Sequence, residues 1–151
     1  IERSKEWFES QGIAYRVRQE GMPGAYFPSL DRVVFNETYF EGKEAYSALV
    51  HIHELIHAMF HKEKLISLFP LPSCWSPEYK ELLHVVELEA EILSFAVLDM
   101  FGLNDSQAIG CSLHDRISLF AKFVADERKL VQEMEAELQH CLERLLIEVY
   151  W

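Results

Sequence analysis

Apolar residues recur at three- and four-residue intervals through Ala45, Ala48, Leu49, Ile52, Leu55, Ile56, Met59 and Phe60. This is the period of a helix with one face in a core, and it predicts an amphipathic helix over residues 43–62. A second helix is predicted over residues 77–101: Ser76 suits the N-cap, Pro77 the first helical position and Gly102 the C-terminal stop. Most of that helix is apolar, so it is expected to be buried on most sides. A polar seam of His84, Glu87, Glu91 and Ser94 runs through it at helical spacing. Ahead of both helices, residues 2–10 read as a short helix ended near Gly12, and residues 13–18 alternate like a strand. Gly21 to Gly24 mark a turn, and residues 25–27 and 32–35 read as two strands joined in a hairpin-like pair through Pro28-Ser29-Leu30-Asp31. Beyond Gly102, Ser112-Leu113-His114-Asp115 resembles a capping box. From there a near-heptad stripe (Ile117, Phe120, Val124, Val131, Met134, Leu138, Leu142, Leu145, Val149) predicts long helical segments, with a break at Asp126-Glu127-Arg128-Lys129. The stripe is expected to pack on the rest of the domain.

The expected fold class is α+β, in one domain over residues 1–151. A small antiparallel sheet lies within 1–36 and a helical body within 37–151. The chain has 151 residues, 50% of them hydrophobic, enough for one real core. It lacks a run of eighteen apolar residues of the kind that spans a membrane, so no membrane association is expected. Ile1 at the first position is read as a sign that this domain is part of a longer protein.

Chemistry enters with His53-Glu54-Leu55-Ile56-His57, a HExxH pentapeptide inside the predicted helix. Four-residue spacing stacks both imidazoles on one face, where they can share a zinc ion while Glu54 turns toward a water molecule. With 7 His in the chain, chance alone would produce this motif in roughly one such sequence in twenty-five. A lone histidine on an apolar face is usually just packed. Two at ligand spacing, with a glutamate between them on a strongly periodic helix, favour metal.

A catalytic zinc takes three protein ligands, and the glutamate seam supplies the third. Glu87 is the expected ligand, with Glu91 one turn on as acceptor for the free N–H of a liganding histidine, or the two roles are exchanged. The plainer alternative makes Glu87, Glu89 and Glu91 a solvated acidic face. Glu54 is then the general base and proton shuttle of amide hydrolysis. His84, Tyr79, Tyr39 and Tyr26 are candidate donors to the oxyanion.

Around these motifs the chain resembles a family. Ala25-Tyr26-Phe27, Asp31-Arg32-Val33, Tyr46-Ser47-Ala48-Leu49 leading into HExxH, and Glu87-Leu88-Glu89-Ala90-Glu91 look like the metallopeptidase domain of ArdC-type antirestriction proteins. The Glu87 to Ala90 spacing is also similar to that of ImmA/IrrE-type metallopeptidases, where the glutamate opening E-x-x-A is the ligand. The resemblance covers roughly residues 10–145 and departs from the family at Met59 to Leu65 and in the proline-bearing stretch that follows. It implies a zincin-like fold, a zinc cofactor, a protein or peptide substrate and a role in antirestriction. The strands ahead of the active helix would then form a meander whose edge holds an extended peptide, or serve simply as a supporting sheet. A zinc-stabilised interaction module without catalysis is the alternative.

Net charge is −11, with acidic residues crowded between Glu133 and Glu148. Direct nucleic-acid binding by this domain is therefore not expected. The three cysteines, Cys74, Cys111 and Cys141, are scattered and form no CxxC pair, which fits a reducing, cytoplasmic setting. Cys74 is a candidate inhibitory visitor to the metal, although an ordinary buried thiol is the commoner role. The missing cysteine pair also argues against a zinc deaminase.

Overall fold

The computed structural model describes residues 1–68, 77–102 and 127–150. Ser76, Cys74, the segment 112–115 and the stripe residues Ile117, Phe120 and Val124 lie outside the described residues, as do the side chains of Tyr79 and His84. Five helices and three strands are described: α1 Glu2–Ser10, β1 Ala14–Arg18, β2 Gly24–Phe27, β3 Arg32–Asn36, α2 Glu44–Ile56, α3 Lys62–Leu68, α4 Pro77–Met100 and α5 Glu127–Leu145. The fold is α+β.

The sheet departs from expectation. Its strand order is β1-β3-β2, with β2 antiparallel to β3 as the hairpin reading requires, but β1 parallel to β3. It is thus a mixed sheet and not an antiparallel meander. Burial explains the order. β3 (Arg-Val-Val-Phe-Asn) hides Val33, Phe35 and Asn36 and takes the centre, whereas β1 leaves Arg16, Val17 and Arg18 exposed and takes an edge. A turn of 3-10 helix, Pro28–Leu30, joins β2 to β3, closed by Asp31 in the left-handed region at φ 46°, a conformation aspartate tolerates.

The HExxH-bearing helix also differs from the uninterrupted helix expected over 43–62. Regular α-helix stops at Ile56, and His57–His61 forms a π turn before α3 begins. Pi turns are rare and recur at functional sites, where one wide turn re-aims side chains. By contrast α1 and α4 match expectation within a residue, with Gly12 and Gly102 at φ 73° and 70° just past their ends. A second π turn, Leu146–Tyr150, follows α5.

One core joins these layers. Phe8 from α1, Val33 and Phe35 from β3, Leu49, Leu55 and Ile56 from α2, Leu93 and Leu98 from α4, and Leu145 from α5 are all buried. Each contributes about 1.5–3 kcal/mol by leaving water. α2 lies between the sheet and α4, packing on both β2 and α4. From His51 to Ile56 every residue of α2 is buried, so each polar side chain there needs a partner. His51 has three: Nδ1–H donates to the Ser47 carbonyl at 2.7 Å, Nε2 accepts from Tyr15 Oη at 2.7 Å, and the ring stacks on Phe35 with centroids 3.8 Å apart. This pins α2 to the sheet just before the HExxH segment. Among the described residues no helix is long and apolar enough to cross a membrane.

Candidate metal centre

Helical spacing brings His53 and His57 together as expected, with their Nε2 atoms 3.0 Å apart. α4 crosses beside them and presents Glu87, whose Oε2 lies 3.0 Å from His53 Nε2 and whose Oε1 lies 3.0 Å from His57 Nε2. The three side chains form a group able to hold a metal ion. Tetrahedral zinc with bonds of about 2.0–2.1 Å separates its ligand atoms by about 3.3 Å, so a few tenths of an ångström of outward movement suits these donors to the ion. Two imidazole nitrogens and one carboxylate are also the right donor chemistry.

The other glutamates of α4 separate into distinct places. Glu91 is 2% exposed, and its Oε1 lies 3.0 Å from His53 Nδ1, off the line of a full hydrogen bond. It stands behind His53, on the nitrogen facing away from Glu87. Glu89 is 4% exposed and turns elsewhere, its Oε2 2.8 Å from Nε2 of His61. His61, 1% exposed, meets His57 through an Nδ1 to Nδ1 contact of 3.0 Å. A solvated acidic face is therefore contradicted: Glu89 and Glu91 are buried and face histidines. Neither His61 nor Glu89 is singled out by the HExxH pattern. The available signal is that His53, His57 and His61 continue one four-residue row, and that Glu89, two residues from both Glu87 and Glu91, projects from a different face of the helix.

Burial alone would raise the Glu87 pKa, but contacts with His53 and His57 reverse this and hold the carboxyl far below its usual range. Burial likewise lowers His53, and its contacts with Glu87 and Glu91 more than offset it, leaving the pKa well above the ordinary value. These directions describe a compact carboxylate–imidazole cluster in which a proton and a metal ion compete for the same nitrogens. His61 is pushed down by burial, only partly opposed by Glu89.

Glu54 lies at the wall of a cavity of about 460 Å³ that also exposes His53, His57, Glu87 and Glu91. Burial raises its pKa, opposed by the two histidines and reinforced by Glu87 and Glu91. A carboxylate tuned upward in this way is a better proton acceptor than an ordinary one. β2 and the turn before it, Met22 to Tyr26, also line the cavity, with Gly24 next to Glu54. Gly24 is needed there: a Cβ on it would come within 2.6 Å of Val50 Cγ1 and 3.2 Å of Glu54 Cγ. Tyr26 reaches the same cavity, its hydroxyl buried and without a hydrogen-bond partner among the described residues, and burial pushes its pKa up to about 12. Tyr39, the other described oxyanion candidate, is exposed and does not line the cavity.

No protein-family model matches the chain, and no curated protein or solved structure matches it either.

Proposed function

We propose that this domain is a zincin-like, zinc-dependent metallopeptidase that cuts a peptide bond in a protein substrate, with the ArdC-type resemblance favouring a target connected with antirestriction and a cytoplasmic setting. The observation that carries this reading is the convergence of His53 Nε2, His57 Nε2 and Glu87 on one point beside Glu54, at the wall of a cavity bordered by β2, an edge strand among the described residues.

His53, His57 and Glu87 hold the ion. When bound, zinc supplies Lewis-acid polarisation of the scissile carbonyl and acidifies a water molecule. Glu54 accepts the proton of the attacking water and passes it to the departing amine nitrogen. β2 lies antiparallel on the far side of β3, so its outer edge offers backbone N–H and C=O groups to an extended peptide. The Tyr26 hydroxyl remains protonated at neutral pH and is the donor we assign to the developing oxyanion.

Glu54→Gln tests catalysis apart from metal binding. The variant is expected to keep its zinc and its melting temperature while peptide hydrolysis falls about 10²–10⁴-fold. Undiminished hydrolysis in Glu54→Gln would contradict the mechanism. If wild type binds zinc but cuts no peptide library, the non-catalytic interaction module is the better reading.

A further inference from the structure

Between the proposed ligand His57 and the interior of the protein runs a chain of buried polar atoms that metal binding alone does not require. His57 Nδ1 lies 3.0 Å from His61 Nδ1, and His61 Nε2 lies 2.8 Å from Glu89 Oε2. Proton counting orders the chain. An ionised carboxylate only accepts, so His61 Nε2 must carry the hydrogen in its contact with Glu89. A ring that ligates through Nε2 keeps its hydrogen on Nδ1, so the His57 Nδ1 hydrogen faces His61 Nδ1, which accepts it while its own hydrogen stays on Nε2 toward Glu89. This leaves His57 Nε2 with its lone pair directed at Glu87 and His53, the state a metal ligand needs.

We propose that His61 and Glu89 are positioning residues that fix the Nδ1–H tautomer and ring angle of His57, and so preset its Nε2 as a ligand. The proposal rests on the reading of His53, His57 and Glu87 as zinc ligands. It gives α4 a division of labour. Glu87 reaches the ion, Glu91 stands directly behind His53, and Glu89 stands behind His57 through an intervening imidazole. The intervening ring is needed because Glu89 contacts the π turn four residues beyond His57, at His61. A hydrogen-bonded path costs little to hold when both its polar members are buried and satisfied, and much to break on one side only.

Zinc affinity, measured against a competing chelator on the intact domain, tests the pair. Glu89→Gln keeps size and shape while removing the charge, and is expected to weaken zinc binding about 10–100-fold. His61→Leu should do the same, and His61→Asn, whose Oδ1 replaces the Nδ1 acceptor, should recover part of the loss. A purely structural role predicts a lower melting temperature of the metal-free variants with unchanged zinc affinity, and that outcome overturns the proposal. Nitrogen-15 spectra of zinc-loaded wild type give a reading independent of variant folding. Protonated His57 Nδ1 and protonated His61 Nε2 are expected, and the opposite assignment for either ring overturns it. If wild type takes up no zinc, the ligand reading itself falls and the proposal with it. If wild type takes one zinc and Glu89→Gln binds it equally well, only the positioning role is lost.

Discussion

Gly24 and Glu54 lie side by side in the cavity lining, so close that no side chain fits between them, and this contact shows how single atoms decide what the site can do. The absent Cβ leaves room for the Glu54 stem and for Val50. Gly24→Ala forces a Cβ within 2.6 Å of Val50 Cγ1, and overpacking of this kind costs typically about 1–3 kcal/mol. Because Val50 and the proposed base Glu54 sit one turn apart on α2 and both border Gly24, the variant is expected to lose turnover while its zinc content stays at the wild-type level. Parallel assays of peptide cleavage and bound metal check this, and loss of metal with cleavage retained per zinc would refute it. The glutamates make the same point by placement. Glu87, Glu89 and Glu91 alternate along five residues of one helix, yet Glu87 meets the Nε2 atoms of His53 and His57 while the other two each meet a different nitrogen, and only the fold distinguishes a ligand from a supporting acid.

At the level of elements, α2 is fastened at both ends of its functional segment: by His51 to the sheet, and by His53 and His57 to α4. His51 is held neutral, its pKa lowered to about 4, mainly by burial. Its folded pKa lies below the unfolded value of about 6.5, so protonation favours the unfolded chain. The stabilisation from a neutral His51 is complete above pH 6.5 and is lost as pH falls toward 4, by up to about 3 kcal/mol. Urea unfolding in chelator from pH 7 to 4 should therefore show a steeper loss of stability in wild type than in His51→Phe, and equal slopes would contradict the assignment. The elements themselves were unequally legible in the sequence. The two principal helices and the β2–β3 pair follow from local periodicity, caps and turn residues. The parallel pairing of β1 with β3 does not, because it joins segments separated by the whole of β2 and is decided by which strand is apolar enough for the centre. Nor does the π turn, since His57-Ala58-Met59-Phe60-His61 keeps an ordinary helical pattern. The row His53–His57–His61 was visible as spacing, but its third member has meaning only once Glu89 is seen to arrive from α4.

Across the whole molecule, the site is the place where α2, embedded in the core, meets the carboxylates of α4, and a bound ion would tie these two elements together more firmly than their packing alone. Buried acids at Glu54, Glu89 and Glu91, beside the partly covered Glu87, concentrate negative charge that a dication compensates. The most direct test is the metal content of the purified protein by elemental analysis, in wild type, Glu87→Ala and Glu91→Ala. The account predicts about one zinc per chain in wild type, loss of it in Glu87→Ala, and retention with weaker affinity in Glu91→Ala. A wild-type protein that stays free of zinc after incubation with the ion and removal of excess, or a Glu87→Ala variant that binds it as tightly as wild type, would contradict it.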